Sequence, residues 1–576
     1  MRNTFFIFLL LLFASCLQAQ TYQPLWIPDT LSGTHFKLVM KDTFKQIVRK
    51  GNQTVTGGIN SNFWGPTLFV NKGDVVEMEV HNQLNDSSTL HWHGFHLPAV
   101  MDGGPYQVIP PGAIWRPYWK VTNHAATYWF HPHLHEMTHE HIAKGLGGLI
   151  IVRDEIEKSL QLPRTYGIDD IPLVLTDRDF DKNNQMLISP YGDSALVNGT
   201  LRPEVKLPAQ IVRFRILDAA ITRSFMLGFA DNRKFWVITS DGGLLNAPVQ
   251  TDRYLLHAAE RVEILVDLSK DEGKSLDLLC YNSELKSVIA GGDRVPFGPL
   301  ANYLAKKDFK LLHINVNAPT KQPITSIPNQ LTNNILLQEN EASVVRKVLM
   351  TDSIVFQKPP LPPNPIDMFI LNHKIFELHH NNFSIPLGNT EIWEITNASV
   401  FGHPFHIHDV TFNVLSVNGE KPDATQAGWK DVVFVPSRTI MGKPGVVRFI
   451  AKFEDYADDL HPFMYHCHIA THEDEGMMGQ FVVKDKVNTN DKNIDNEQVN
   501  YSLAIKDEFL WVNLENPKTE VYYLQIKNEA GLIRDMLPLP RLEKGVDISH
   551  LSKGKYTVEL TAGKSKKVYT QTFTKL

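Results

Sequence analysis

Ten histidines, one cysteine and one methionine sit in four short clusters. They read His91-Trp92-His93, His131-Pro132-His133, His403-Pro404-Phe405-His406-Ile407-His408 and His466-Cys467-His468, the last running on to His472 and Met477. Core packing gives little reason to hold so many imidazoles at this spacing; metal binding does. Imidazole combined with one thiolate and one thioether selects copper.

Successive side chains on a strand face opposite ways, so His466 and His468 point to one side and Cys467 to the other. If Cys467 holds one copper, its neighbours can hold two others behind it, and the peptide wires the sites together. Cys467, His472, Met477 and a distant histidine make the ligand set of a blue electron-transfer copper, with the methionine as weak axial ligand. His91 and His93 share a strand face by the same period, as do His131 and His133, and His406 and His408. With His466 and His468 these make eight, the number for a three-copper cluster with two ligands on one ion and three on each of the others. His403 remains for the Cys467 copper.

The elements that carry these clusters read as strands. Short apolar runs such as Val75–Val80, Val212–Leu217 and Val262–Val266 alternate with Gly, Pro, Asn and Asp turns, and long helical periodicity is nearly absent. The expected fold is all-β: β-sandwiches in a chain whose 576 residues are too many for one core. Residues 21–155 and 321–487 each carry two clusters. Residues 156–320 carry none, so they read as a spacer or a substrate wall. Pro359–Pro365 reads as a loop or linker, 488–499 as a polar linker, and 500–576 as a small separate β module.

The motifs resemble those of the multicopper oxidases (laccases, bacterial cuprous oxidases, bilirubin-oxidase and spore-coat laccase types). The resemblance rests on His-Trp-His-Gly (91–94), Trp-Phe-His-Pro-His (129–133), His-Pro-Phe-His-Ile-His (403–408) and His-Cys-His-Ile-Ala-Thr-His-Glu-Asp-Glu-Gly-Met-Met (466–478). Supporting stretches are Asp102–Pro105, Val197–Gly199, Ser240–Leu245 and Gly428–Asp431. It implies three cupredoxin-like Greek-key domains and four copper ions, with the trinuclear cluster between the first and third domains. It gives His403, Cys467, His472 and Met477 to the type 1 copper, and His91 and His406 to type 2. The type 3 pair takes His93, His131 and His468, and His133, His408 and His466.

The implied reaction is four one-electron oxidations of a small-molecule reductant, coupled to reduction of O₂ to two waters. Asp102 and Glu473 stand where the family keeps acids, and a carboxylate beside the cluster can relay protons. The plainer alternative is that Asp102 caps a Gly-rich turn and Glu473 orients a ligand histidine. The best-known cuprous oxidases carry a Met-rich insert and then Asp and Met four and two residues before the first histidine of the third cluster. Here those positions are Ser399 and Phe401, and the preceding stretch holds only Met368. The resemblance thus favours a laccase-like enzyme acting on phenolic or other organic reductants. A cuprous oxidase and a copper-binding scaffold without turnover are the alternatives; scaffold relatives lose ligands, and here all twelve positions are filled.

Nearby residues have duller readings. His135 and His139 have helical spacing that could hold an extra metal, but such histidines are more often surface residues; His96 and His141 read likewise. His461 is a candidate for the fringe of the type 1 site. Trp92 and Trp129 read as core aromatics beside ligands, with electron relay as the alternative. Cys280 reads as a buried strand residue, unpaired with Cys467.

Arg2 and the apolar Phe5–Phe13 read as a signal peptide over residues 1–20, followed by no stretch long enough to span a bilayer. A net charge of −6 without a long basic run excludes nucleic-acid binding as the expected role. Residues 500–576 resemble the C-terminal sorting domain of the type IX secretion system of Bacteroidota, on Val546–Leu551, Gly554–Leu560 and Thr572–Leu576. That resemblance implies the secretion machinery as a partner and an extracellular or cell-surface location, with the periplasm as alternative. The expected state is a monomer.

Overall fold

The computed structural model describes residues 22–292, 304–356, 365–439, 441–485, 500–515, 522–539, 545–562 and 568–576. The predicted leader, the 488–499 linker and all of the Pro359–Pro365 stretch except Pro365 lie outside them. The fold is all-β, as the turn-punctuated sequence predicts. Among the described residues the longest α-helix, Thr138–Lys144, has 7 residues, and no helix is long and apolar enough to cross a membrane.

Three sandwiches follow one another. In the first, one sheet orders Thr30–Ser32, Thr67–Asn71, Gly148–Arg153, Ala126–His131 and His91–His93. It closes over a second sheet that includes His35–Lys45 and Val75–Gln83, with Leu38, Val80, Phe130 and Ile150 sharing one core. The middle sandwich packs an eight-stranded against a six-stranded sheet around Phe214, Ile264, Leu278 and Ile314. In the third, the sheet carrying Met478–Lys484, Asp458–Cys467 and His403–Ile407 packs on one centred on Thr390–Asn397. Trp393, Phe405, Phe449 and Cys467 meet in its core. Alternate residues of these strands face inward, which fixes register and so fixes which histidines point out of the sandwich.

The tail has a core of its own around Leu524, Ile526, Val558 and Leu560 and also joins the first sandwich. Its strand Ile533–Leu539 pairs in parallel with Ile114–Trp115 of the first sandwich, Asp535 opposite Ile114 and Met536 opposite Trp115. Met536 joins the first core, and the Arg116 amide donates to the Met536 carbonyl at 2.9 Å. The pattern within 500–576 predicts its strands, but not that an edge of the first sandwich continues into them.

Candidate metal centre

Strand register assembles the site. His91 stands opposite His131, and Trp129 opposite His93. In the third sandwich His406 stands opposite His466, and Phe405 opposite Cys467. Cys467 therefore faces the core with Phe405, while His406 and His466 face out, as strand alternation predicts. Gly103, at φ +78, makes the turn that returns Asp102 to the His91 strand; a Cβ there would meet Leu90 O at 1.9 Å.

The eight histidines expected in the cluster meet in one buried place. Ligand-capable atoms of His133, His408 and His466 lie within 4.8 Å of one another, as do those of His91, His93 and His131, and of His91, His406 and His408. The His468 ring centroid is 5.0 Å from that of His93 and 5.3 Å from that of His131. Most rings are oriented through Nδ1. That atom donates to the Asp102 carbonyl from His91 (2.8 Å), to the Asp431 carbonyl from His406 (2.7 Å) and to Asp102 Oδ2 from His408 (2.7 Å). The Nε2 atoms of His91, His406, His408 and His468 are buried without a hydrogen-bond partner. Leaving a buried polar atom unpaired costs about 1–3 kcal/mol, so convergent orphan lone pairs fit a metal cluster. Burial, reinforced by neighbouring imidazoles, holds His93, His131, His133, His406, His408 and His468 well below the ordinary histidine value. They are neutral, the form that ligates.

A second centre lies behind Cys467. Its Sγ is 3.4 Å from His403 Nδ1 and 3.8 Å from His472 Nδ1, and the Ile469 amide points at it from 3.4 Å. Met477 is fully buried, and its chain is tied back to both ligands: its carbonyl accepts from the Cys467 amide at 3.1 Å and its amide donates to the His472 carbonyl at 2.8 Å. Burial pushes the Cys467 thiol up and His403 down to about 3; a bound cation would reverse the first effect by deprotonating the thiol. Phe369 stacks on His472 with centroids 4.1 Å apart. Ser399 is buried, with Oγ 2.7 Å from His403 Nε2.

Multicopper oxidase profiles match residues 43–157 and 349–487. A multicopper oxidase, mco, of Staphylococcus haemolyticus is 32% identical over 447 residues, covering 75% of this chain and 85% of its own. The chain belongs to the multicopper oxidase family. Cell division protein FtsP of Xenorhabdus nematophila is 31% identical over 444 residues, 75% of this chain and 86% of its own. Among solved structures, the laccase-like multi-copper oxidase CueO of Ochrobactrum sp. superposes with a TM-score of 0.69 at 32% identity, covering 80% of this chain and all of that one.

The acids of this multicopper oxidase lie against the cluster. Glu473 sits with Oε1 3.3 Å from His133 Nδ1 and Oε2 3.1 Å from His466 Nδ1. Burial would raise its carboxyl, while a positive charge on His133 or His466 and the contacts from His466 and Thr138 lower it. Asp102 bridges His91 through its carbonyl and His408 through its carboxylate; it does more than cap a turn.

Other histidines are placed elsewhere. His139 pairs with Asp474 at 2.5 Å, His135 packs edge-on to Phe376, and His141 meets Ser88 Oγ at 3.2 Å. Among the described residues none of these joins a metal-competent group. His461 does not fringe the Cys467 centre: it bonds Asp458 and faces Tyr523 of the tail. Trp129 stacks on His131 at 4.1 Å, whereas Trp92 packs with Trp115 and Trp119. Cys280 and Cys467 are both free and buried.

Sequence reasoning gave no role to Asp431 or Arg261. Asp431 Oδ1 lies 3.2 Å from His93 Nε2 and 2.6 Å from Arg261 Nη1. The available signal was the Gly428–Asp431 stretch, which supported the family resemblance and leads into the apolar Val432–Val435 strand.

Proposed function

We propose that the protein couples one-electron oxidation of phenolic or other organic reductants to reduction of O₂ to water. The observation that carries this reading is the complete set of eight buried imidazoles around orphaned nitrogens, backed by a separate Cys-His-His centre with Met477 beside it. It also speaks against a scaffold without turnover, despite relatives named for cell division. The assignment is type 1 copper at His403, Cys467, His472 and Met477; type 2 at His91 and His406; and type 3 at His93, His131 and His468, and at His133, His408 and His466. Bound there, four copper ions supply the one-electron acceptor and the multielectron O₂ chemistry.

The chain's own residues do the rest. The His466-Cys467-His468 peptide joins the two centres covalently. Glu473, between His133 and His466, and Asp102, on His408, hold carboxylates where the four protons consumed with each O₂ must be delivered. Ser399 on His403 supports an organic donor over Cu(I): a hydroxyl sits 2.7 Å from the Nε2 of that imidazole, whereas soft Cu(I) prefers sulfur. For location, the Arg2/Phe5–Phe13 leader supports export, and the 500–576 resemblance supports passage through the type IX machinery to the cell surface or beyond.

The test is oxygen uptake by copper-loaded protein, with a methoxyphenol and with Cu(I) as separate reductants. Faster uptake on the phenol, abolished in Cys467→Ser, is expected. Preference for Cu(I) would make it a cuprous oxidase, and no uptake at full copper content would leave a binding protein.

A further inference from the structure

The middle sandwich carries no cluster ligand, yet it reaches the cluster through one buried chain of charge. Arg261 Nη1 donates to Asp431 Oδ1 at 2.6 Å, and Arg261 Nη2 donates to the other oxygen, a two-point clamp. The same guanidinium donates to the carbonyls of Thr127, Ala259 and Asp241, so its five donors are fully engaged and its plane is fixed. Lys430 lies 2.8 Å from Asp241 and 3.0 Å from Glu260, tying the neighbouring residue to the same sandwich. Every member of this set is 2% exposed or less.

Asp431 then touches two histidines, one from the first sandwich and one from the third. Its carbonyl accepts from His406 Nδ1, and its carboxylate faces His93 Nε2. His93 is the exception to the orientation of its neighbours: its Nε2 is turned away to the carboxylate, and its Nδ1 lies 3.4 Å from His131 Nε2. His93 and His406 are also stacked, centroids 3.8 Å apart, so one residue sets the attitude of both rings. Gly94 makes room for this: at φ +83, a Cβ there would meet Asp431 Oδ2 at 2.3 Å and Arg261 Nη2 at 3.1 Å.

We infer that Asp431, aimed by Arg261 of the middle sandwich, is a positioning residue that fixes the His93 tautomer with its proton on Nε2, so that His93 offers Nδ1 to the metal cluster. A carboxylate only accepts, so it admits one tautomer; the other ring nitrogen keeps its lone pair. This rests on the copper assignment above. It gives the middle sandwich a role beyond spacer or wall: it sets the geometry of a site to which it contributes no ligand.

The experiment compares wild type, Asp431→Asn and Arg261→Lys, copper-loaded, by metal analysis, electron paramagnetic resonance and optical spectra. Asn presents an N–H or a carbonyl, so it admits both tautomers; Lys keeps the charge and loses the fork. The expected result is selective damage. Asp431→Asn keeps the blue band of the Cys467 centre, loses the near-ultraviolet band of the coupled copper pair and shows new paramagnetic copper, with metal affinity at the cluster down about 10–100-fold. Arg261→Lys falls between it and wild type. An intact coupled pair at full copper content in Asp431→Asn overturns the inference. So does equal loss of the blue band in both variants, which would mean a merely structural role. A wild type without the coupled-pair signature would instead overturn the copper assignment.

Discussion

Asp535→Ala should loosen the tail from the first sandwich. Asp535 is fully buried and takes Arg116 Nε at 2.9 and 3.1 Å on its two oxygens; Arg116 itself is 3% exposed. Without Asp535 the guanidinium keeps Glu79, whose side chain is 35% exposed, and a long bond at 3.3 Å to the Asp547 carbonyl. Removing one partner of a buried pair costs about 3–5 kcal/mol, because the other charge is left desolvated. With Glu79 still bound, the lower end applies, about 3 kcal/mol. That penalty is relieved if the tail lifts and water reaches Arg116, so the docked state loses roughly a hundredfold in equilibrium constant. The assay is native-state hydrogen exchange across Ile533–Leu539 and Ile114–Trp115, which should quicken together. A double-mutant cycle with Arg116→Met separates the pair from the lost Asp535 volume. A coupling energy below about 0.5 kcal/mol, or exchange unchanged at Ile114–Trp115, would refute the reasoning.

Glu473→Gln keeps shape and removes the carboxylate that can pass protons; kcat should fall about a hundredfold or more at unchanged copper content, and a kcat within twofold of wild type would exclude proton relay. Ser399→Asp places a carboxylate on His403 Nε2 and should raise the Cu(I) to phenol rate ratio several-fold in oxygen uptake. Acid should destabilise the copper-free protein. Burial lowers His141 from 6.5 to about 4 and His257 from 6.5 to about 3, so the unfolded chain binds the extra protons. Their contribution is complete above pH 6.5 and is lost as pH falls toward 4, about 2–3 kcal/mol by pH 4.5 for His141 alone. Denaturant midpoints across that range should fall less steeply in His141→Gln than in wild type.

The ligand clusters were legible because their chemistry is local. The alternation His466-Cys467-His468 fixes which residues face which way before any tertiary contact is known, and the same period puts His91 with His93, and His131 with His133, on one face. The sandwich class was legible for the same reason: strands announce themselves every few residues. What escaped was contact between distant segments with no periodic signature. Arg116 and Asp535 are 419 residues apart, Arg261 and Asp431 are 170 apart, and each looks like an ordinary charge in its own strand. The contact of the tail with the first sandwich was not legible because an edge strand gives no sign in sequence of which strand it will accept.

Gly94 shows how a long-range constraint can hide inside a local motif. In His-Trp-His-Gly the glycine reads as the turn after a strand, and its φ of +83 satisfies that reading. The same position is also where the Asp431 carboxylate and the Arg261 guanidinium must approach the backbone. The turn alone would tolerate Asn, which adopts left-handed geometry at small cost. The approach of Asp431 does not, because any Cβ occupies the space of its Oδ2. The glycine beside the first pair of ligands is therefore set by a residue of the third sandwich that a residue of the second holds in place.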